Sequence, residues 1–421
     1  MFEQLKDFVE TTPNAMFCVE NITDMLQNKG FVLFHECDTW ERPEKDVPGI
    51  VIVRDSSIIV VRLPNKFTKF TGVLTHSDSP CFRIKRNPDI KGNGYTKLNV
   101  EPYGGAIYYS WLDKPLSICG KLIVDKEFYL HDTFEEHQVI IPSQAIHINR
   151  DVNSVNNLNP QVDMCPIFSI TDEAEINFDK FIKQKCEIED SELFSMDLYL
   201  YNPEPVKRIN LAGNDNHSLI VGPRLDNLAS VWSALDAFIN APEVDGCARV
   251  FAAFDSEEIG STTHNGANSN FLTTVLERFC LLYGVDKYAA LANSLLLSVD
   301  AAHAIHPNAS GKSDPSNFVK LGNGIVIKHN DNYAQDIGIE HIIREICSWL
   351  EINCQDFYSR SDMRCGSTLG NISMIHHGIR TLDIGIPMLA MHSSVETISE
   401  KDVLNLREVL SMFYNNDYEM R

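Results

Sequence analysis

The sequence predicts an α/β protein with a mixed, largely parallel central sheet flanked by helices and interrupted by a β-rich inserted domain. In the first and last parts of the chain, apolar strand-like runs alternate with helical patterns, which is typical of parallel sheets. Between about Phe82 and Leu211, short β-type runs alternate instead with Gly, Pro and Asn. We expect residues 1–85 and 215–421 to form the α/β domain and residues 86–214 to form the insertion.

The first α/β segment carries a predicted helix and three predicted strands. Thr12-Pro13 is typical of a helix start, and apolar residues recur at helical spacing up to Leu26, before a stop at Gly30. The run GIVIVRDSSIIVVRLP predicts a strand pair with Asp55–Ser57 as its turn. A third apolar run, Phe70–Leu74, leads into the sequence THSDSP.

Helices and strands alternate again after the inserted segment. Amphipathic spacing predicts helices over Val231–Asn240 and Tyr333–Leu350. Apolar runs rich in β-branched and aromatic residues predict strands over Ala248–Phe254, Ser294–Val299 and Arg380–Ile386. This order is what places helices on the faces of a parallel sheet.

Composition narrows the possible partners. The chain has 421 residues, 44% of them hydrophobic, and a formal net charge of −22. No excess of Lys and Arg is present to neutralise phosphates, so we do not expect nucleic acid as a partner. No apolar run approaches a membrane span, and no signal-peptide pattern is visible. The eleven cysteines include no CxxC pair, which favours a reducing compartment, so we expect a cytoplasmic protein without membrane contact.

Several predicted strands lead directly into a histidine or an acid. These residues are His76, the pair Glu257–Glu258, and Asp300. Ligand sites in open α/β sheets lie beyond the carboxyl ends of the strands, so we expect these side chains on one rim. Two further candidates stand at loop junctions, namely Asp226 before a helix and His392 after a strand.

Each candidate also has an ordinary structural interpretation. Asp226 could be an N-cap, His76 could be a satisfied buried histidine, and adjacent glutamates could form a solvated turn. Together, however, His, Asp and Glu are the ligands that zinc-class divalent metals prefer. The sequence therefore predicts a metal site made by His76, Asp226, Glu258, Asp300 and His392.

The charge of these ligands favours two metal ions over one. Asp226, Glu258 and Asp300 carry three negative charges, which two divalent ions and one bound hydroxide would neutralise. A single ion would leave a buried anion, which is costly. A two-metal site activates water and holds the attacked carbonyl. Glu257 is left without a metal next to that water, where a general base belongs.

Asp78 lies two residues after His76, on the same side of an extended chain. Its carboxylate could accept the second imidazole N–H and fix the tautomer of His76. Asp78 could equally form a turn before Ser79-Pro80. Both interpretations stay open from the sequence.

Other catalytic motifs are missing or incomplete in the sequence. There is no HExxH zinc motif and no GxSxG nucleophile elbow. The segments KGNGYT and LGNGIV are glycine-paired turns, and SGKSD lacks the upstream glycine of a phosphate loop. Nothing in the sequence therefore favours a serine hydrolase, a nucleotide-binding protein or a single-zinc helix site.

Eight sequence blocks resemble, in order, those of the aspartyl aminopeptidase family. They are THSDSPCFRIK, EPYGGAIYYSWLDKPL, IPSQAIHINRDVN, GPRLDNL, FDSEEIGS, SVDAAHAIHP, SDMRCGSTLG and LDIGIPMLAMHS. The resemblance covers nearly the whole chain. It implies a zinc-peptidase catalytic domain, an inserted domain that serves oligomerisation, and a large homo-oligomer, typically a tetrahedral dodecamer.

The resemblance also divides the metal ligands and assigns a base. It implies that His76, Asp226 and Asp300 bind one ion and that Asp226, Glu258 and His392 bind the other. Asp226 would then bridge the two ions, and Glu257 would be the general base. The expected metal is zinc, with manganese or cobalt as alternatives.

Two further residues gain roles only from the resemblance. His147 is similar to a histidine that reaches across a subunit boundary to steady the tetrahedral intermediate, although locally it is a histidine within an apolar run. Lys328 is similar to a lysine that pairs with an acidic substrate side chain, although it could be an ordinary strand-edge lysine.

The resemblance implies hydrolysis of N-terminal residues from peptides, preferably Asp or Glu, by a hydroxide that bridges the two ions. Some members of the family prefer neutral residues such as Leu, which is the alternative for this chain. A non-catalytic oligomeric shell or scaffold is a rival class, against which the intact ligand set argues. Carboxypeptidase action would need a cation for the substrate carboxylate, and only Arg224 and Arg360 are loosely placed for it.

Overall fold

The computed structural model describes residues 1–43, 47–124, 126–133, 136, 138–154, 157–173, 176–188, 194–214 and 218–418. It consists of two compact units. The first comprises Met1–Asp78, Val206–Met391 and Glu396–Arg421, and the second comprises Ser79–Pro205 and His392–Val395. The expected α/β fold with a β-rich insertion is confirmed, whereas the predicted domain boundaries stay predictions.

The helices follow the amphipathic patterns of the sequence. In the described residues the α-helices are α1 (Phe2–Glu10), α2 (Ala15–Asn28), α3 (Pro160–Asp163), α4 (Phe178–Lys185), α5 (Leu225–Asn240), α6 (Phe271–Tyr283), α7 (Lys287–Ala292), α8 (Ile337–Trp349), α9 (Leu369–His377) and α10 (Glu400–Asn415). Only α2, α5 and α8 match helices predicted above, and α5 begins six residues before the predicted Val231. The sequence analysis carries no prediction for the other described helices.

Along the chain, the strands of the first unit come before and after those of the second unit. The described strands are β1 (Val32–Phe34), β2 (Ile50–Arg54), β3 (Ser57–Arg62), β4 (Phe67–His76), β5 (Cys81–Gly92), β6 (Tyr95–Tyr103), β7 (Pro115–Val124), β8 (Glu127–Asp132), β9 (Val139–Ile140), β10 (Ile167–Ser169), β11 (Phe194–Tyr201), β12 (Lys207–Asn210), β13 (Ser218–Gly222), β14 (Gly246–Phe254), β15 (Leu295–Val299), β16 (Ala302–His303), β17 (Ile325–His329), β18 (Cys354–Tyr358), β19 (Arg380–Gly385), β20 (Pro387–Leu389) and β21 (Glu396–Ser399). The strands β5 to β11 belong to the second unit.

The central sheet of the first unit has nine described strands in the order β1-β2-β3-β14-β4-β15-β19-β17-β18. The neighbours β14, β4, β15 and β19 run parallel, whereas β3 and β17 run antiparallel to β14 and β19. The carboxyl ends of β14, β4 and β15 therefore meet at one edge.

Both faces of this sheet are buried. Successive residues of β14 enter different cores: Phe251 packs with α5 and α10, whereas Val250 packs with α6. Side chains alternate between the faces of a strand, so strands covered on both sides need apolar residues at every position. This is why the strand runs are mostly apolar in the sequence.

Two smaller sheets complete the described structure. In the second unit the strand order is β11-β5-β6-β10-β9-β7-β8, and β11 also pairs with β7. Its core includes Phe82, Trp111 and Phe178. In the first unit, β12-β13-β21-β20-β16 form a five-stranded sheet. In the described part of the chain, no helix is both long and apolar enough to cross a membrane.

Candidate metal centre

The predicted site residues of the first unit meet at the edge where β4, β14 and β15 end. His76 is the last residue of β4, Asp300 directly follows β15, and Glu257 and Glu258 lie in a 3₁₀ turn after β14. Ligand atoms of His76, Asp226 and Asp300 lie within 4.8 Å of one another, and so do those of His76, Glu257 and Glu258. The fold thus brings together residues that are far apart in the sequence.

His76 lies at the centre of this group and is almost fully buried. Its Nε2 is 3.2 Å from Asp300 Oδ1 and 3.5 Å from Asp226 Oδ1. Its Nδ1 is 3.1 Å from the backbone oxygen of Asp78 and 3.4 Å from Asp78 Oδ1. The Nε2 edge of the imidazole is therefore turned to two acids, while Nδ1 lies next to Asp78.

Asp226 lies where the chain enters α5. Its φ and ψ of −82° and 107° are not helical, so the regular helix begins after it. Its backbone N–H donates to Glu396 Oε2 at 2.9 Å, and Asn227 Nδ2 donates to the backbone oxygen of Val299 at 2.8 Å. These bonds tie the entry of α5 to β21 and to the end of β15, and so hold Asp226 beside His76.

The glutamate pair is positioned by a tight turn and by Asp78. Ser256 has φ 66° and Gly260 has φ 93°, both in the left-handed region, so the chain reverses sharply around the pair. The backbone N–H groups of Glu257 and Glu258 donate to Asp78 Oδ1 and Oδ2, each at 3.1 Å. Asp78 therefore contacts both His76 and the glutamate turn; its effect on the tautomer of His76 stays a prediction.

The electrostatics of the cluster fit cations. Burial raises the pKa of Glu257 to about 8, and neighbouring carboxylates contribute to that rise. Burial also raises the pKa of Glu258 well above its ordinary value, with Asp226 as the next cause. Burial would lower the pKa of His76, but hydrogen bonds to Asp226, Asp300 and Asp78 raise it well above the ordinary value. A site crowded with buried carboxylates around a histidine has the donor set and the charge that divalent metals require.

Lys328 contacts this cluster through Asp300. Its Nζ donates to Asp300 Oδ2 at 3.0 Å, and the lysine is only 2% exposed. Burial would raise the pKa of Asp300, but Lys328 and His76 hold it below its ordinary value. Because β17 lies between β18 and β19, the strand-edge interpretation of Lys328 is wrong.

His392 and His147 belong to the second unit. His392 has φ 67°, and its Nδ1 is 3.2 Å from the backbone oxygen of Gly105. His147 lies in an exposed turn. The roles predicted for both histidines stay predictions.

A second group of His and acids in the described residues is an ion-pair network. It consists of His329, Glu340 and Asp356. Arg344 contacts Glu340 at 2.9 Å and Asp356 at 2.5 Å, and His329 Nε2 lies 2.7 Å from Asp356 Oδ1. Because a guanidinium already compensates both carboxylates, this group is a poorer cation site than the cluster around His76.

Sequence reasoning missed Glu396, which holds the backbone of Asp226. The two residues are 170 positions apart. No local pattern marks Glu396 as part of the site, since its sequence neighbours simply continue a strand. Only the pairing of β13 with β21 places it there.

Comparison with known proteins gives concordant matches over the whole chain. The family described as "Aminopeptidase I zinc metalloprotease (M18)" matches residues 8–414. The "Probable M18 family aminopeptidase 2" of Clostridium novyi (strain NT) is 37% identical over 429 residues, with 98% of each chain covered.

Solved structures give the same result for the fold. A chain of the "Cryo-EM structure of the Ape4 and Nbr1 complex" has a TM-score of 0.90 and 29% identity, covering 98% of this chain and 84% of that one. The "S. cerevesiae mApe1 dodecamer" has a TM-score of 0.81 and 23% identity, covering 98% of this chain and 95% of that one. The second likeness, at this identity, concerns the fold alone.

Proposed function

Because the chain belongs to the M18 family of zinc metallo-aminopeptidases, we propose that it removes N-terminal residues from peptides with two divalent ions held at the ends of β4, β14 and β15. The observation that carries the proposal is the buried cluster in which His76 faces Asp226 and Asp300 and adjoins the glutamate pair. Zinc is the expected metal, with manganese or cobalt as alternatives.

The ligands divide into two groups that share one acid. His76, Asp226 and Asp300 would hold one ion, and Asp226, Glu258 and His392 would hold the other. When bound, the ions polarise the scissile carbonyl and activate the attacking water. The first group has support from the distances between its ligand atoms. His392 enters through its donor chemistry and the family resemblance.

Glu257 is the proposed general base. It lies beside Glu258 within the cluster, but neither ligand group needs it, so its carboxylate stays available for proton transfer. It would take the proton of the attacking water and pass it to the nitrogen of the leaving amine. Asp78 would keep the imidazole of His76 in the tautomer that presents Nε2 to the cation, because it lies next to Nδ1.

Asp and Glu are the proposed preferred N-terminal residues, with neutral residues such as Leu as the alternative. Lys328 would bind the acidic side chain. A lysine has three N–H donors and Asp300 takes one of them, which leaves two for a substrate. The 2% exposure of Lys328 favours the neutral alternative, so this preference needs a direct test.

We propose that the protein works as a homo-oligomer, with a dodecamer as the expected form. The mApe1 of similar fold is described as a dodecamer. The exposed turn that carries His147 is compatible with a contact to a neighbouring subunit, where His147 would steady the tetrahedral intermediate. The eleven cysteines, all in the described residues, form no disulfide with one another, which supports the proposal of a cytoplasmic location.

The test is hydrolysis of chromogenic Asp, Glu, Leu, Ala and Lys substrates, each with added zinc and with chelator. Chelator-sensitive cleavage of Asp and Glu would support the whole proposal. Chelator-sensitive cleavage of Leu or Ala instead would keep the metal site and reject Lys328 as a substrate-binding residue. No cleavage of any substrate by metal-loaded protein would favour the scaffold, and activity indifferent to chelator would reject the metal mechanism.

A further inference from the structure

We infer that Ser56, Asp255 and Asn265 form a hydrogen-bonded brace that positions Glu257 and Glu258 for metal binding and proton transfer. The inference rests on the proposed function, because it assigns positioning residues to that site. It links the turn between β2 and β3 to the loop after β14, two segments that are about 200 residues apart in the chain.

The loop after β14 needs such support because its backbone is strained. Ser256 and Ser261 have φ of 66° and 59°, in the left-handed region, although neither is a glycine. Left-handed conformations are energetically unfavourable for residues other than glycine. Surrounding contacts must therefore hold the loop in place, and the glutamate pair lies between these two serines.

The contacts of the brace form a closed triangle. Ser56 Oγ donates to Asp255 Oδ2, and Asn265 Nδ2 donates to Ser56 Oγ at 2.7 Å and to Asp255 Oδ2 at 3.3 Å. Ser56 and Asn265 are buried. Buried polar groups in a closed network have few alternative partners, so the triangle fixes the position of the Asp255 side chain.

Ser57, the first residue of β3, fixes the backbone at the same point. The backbone N–H of Asp255 donates to Ser57 Oγ at 2.8 Å, and Ser57 Oγ donates to the backbone oxygen of Asn265 at 2.8 Å. Asp255 Oδ1 in turn accepts from the N–H of Ser256 at 2.6 Å. The strained residue before the glutamate pair is thus held through both the backbone and the side chain of Asp255.

Hydrogen bonds consequently hold the glutamate pair and its loop from two sides. Asp78 accepts from the backbone N–H groups of Glu257 and Glu258, while the brace holds the loop just before them. Residues that orient metal ligands without touching the metal typically change metal affinity or activity by roughly 10- to 100-fold when replaced. We expect the brace to act at this scale.

The experiment compares S56A and N265A with the matched control S294A. Ser294 is fully buried and makes two similar hydrogen bonds, to the backbones of Ala290 and Phe70, but it is not part of the brace. The measurements are hydrogen exchange at the amides of Glu257 and Glu258, zinc affinity by calorimetry, kcat and KM on the preferred substrate, and Tm.

For S56A and N265A we expect faster exchange at these amides, a zinc affinity about 10- to 100-fold weaker, and a similar loss of kcat with KM nearly unchanged. S56T, which keeps the hydroxyl, should restore all three values. The double variant S56A/N265A should lose little more than either single variant, because both act through Asp255. S294A should lower Tm to a similar extent without these effects.

If S56A and N265A match S294A in exchange, zinc affinity and kcat, the brace is only structural and the inference is overturned. That result differs from failure of the proposed function, in which the wild-type protein itself binds no zinc or cleaves no substrate. The exchange measurement does not depend on either property, so it tests the brace separately.

Discussion

Buried carboxylates of the first unit fall into two kinds. Asp300, at the end of β15, contacts Lys328 at 3.0 Å and His76 at 3.2 Å. Asp383, on the neighbouring strand β19, accepts from the backbone N–H of Ala334 at 2.5 Å and from Thr368 Oγ1 at 2.8 Å. The first acid lies among groups that carry charge, and the second is satisfied by neutral donors.

Asp402 in α10 resembles Asp383. It is fully buried and accepts from the backbone N–H groups of Gly322 and Gly324 at 2.6 and 2.8 Å. Both glycines have positive φ, so Asp402 holds a turn that few other residues would adopt.

The pKa values separate the two kinds of acid. Burial raises the pKa of Asp383, and the nearby charge of Lys328 together with the neutral donors reverses this only in part. Burial raises the pKa of Asp402 to about 7, which its backbone donors also reverse only in part. For Asp300, burial acts in the same direction, but Lys328 and His76 outweigh it and lower the pKa. Burial therefore does not identify a functional acid; the charge of its partners does.

The largest expected effect comes from Glu257→Gln, which tests an acid of the cluster around His76. The amide cannot take a proton, so kcat should fall roughly 10²- to 10⁴-fold, the range for loss of a general base. Zinc stoichiometry by atomic absorption and Tm should stay unchanged, because Glu257 is not a proposed ligand. Near-normal turnover by a variant with full metal content would contradict the assignment of the base.

Lys328→Met removes the cation that contacts Asp300 directly. Breaking a buried ion pair leaves an uncompensated charge and typically costs about 3–5 kcal/mol. We expect a loss of this order in the free energy of unfolding in chelator and a smaller loss in zinc, since a bound cation would compensate Asp300. Urea denaturation under both conditions measures the difference.

Equal losses for Lys328→Met with and without zinc would contradict the link between Lys328 and the cation site. Kinetics of the same variant also test whether Lys328 sets the preference for an acidic N-terminal residue. A fall in the ratio of kcat/KM for Asp substrates to kcat/KM for Leu substrates would support the substrate role of Lys328. An unchanged ratio would restrict the role of Lys328 to its ion pair with Asp300.

Asp383→Asn tests an acid that accepts hydrogen bonds from neutral donors and that we expect to be structural. Both donors bond to Oδ2 of Asp383, and the amide oxygen of Asn can take that place. The amide NH2 would then be buried at the position of Oδ1, and a buried donor without an acceptor costs about 1–3 kcal/mol. We expect a lower free energy of unfolding with unchanged zinc affinity and kcat. Weakened zinc binding, measured by calorimetry, would place Asp383 with the functional acids.

The last expected effect is a pH dependence of the free energy of unfolding, which Asp402→Asn should remove. Because the folded-state pKa of about 7 lies above the ordinary 3.8, the folded protein binds this proton more tightly than the unfolded chain does. The resulting stability is complete below pH about 4 and is lost as pH rises through about 7. The free energy of unfolding of wild type minus that of the variant should fall by about 1.4 kcal/mol per pH unit across this window. Urea denaturation at several pH values measures it, and a flat difference would contradict the burial argument.

Local patterns in the sequence were enough to predict the fold class and to single out His76, Asp226 and Asp300, whose side chains the structure brings together. The strand runs before His76, Glu257 and Asp300 are mostly apolar because the sheet is covered on both faces. Since parallel strands share one edge for their carboxyl ends, the polar residues after them could be expected to meet. That inference needs only the order of elements and the chemistry of the residues.

Only the tertiary structure decided the partners that give these residues their properties. Asp78 holds amides 179 and 180 positions away, Glu396 holds Asp226, and Lys328 lies on an interior strand beside Asp300 rather than at an edge. Such contacts depend on which strands become neighbours, and neighbouring strands here come from distant parts of the chain. Local periodicity determines what each segment becomes, whereas long-range packing determines which charges meet.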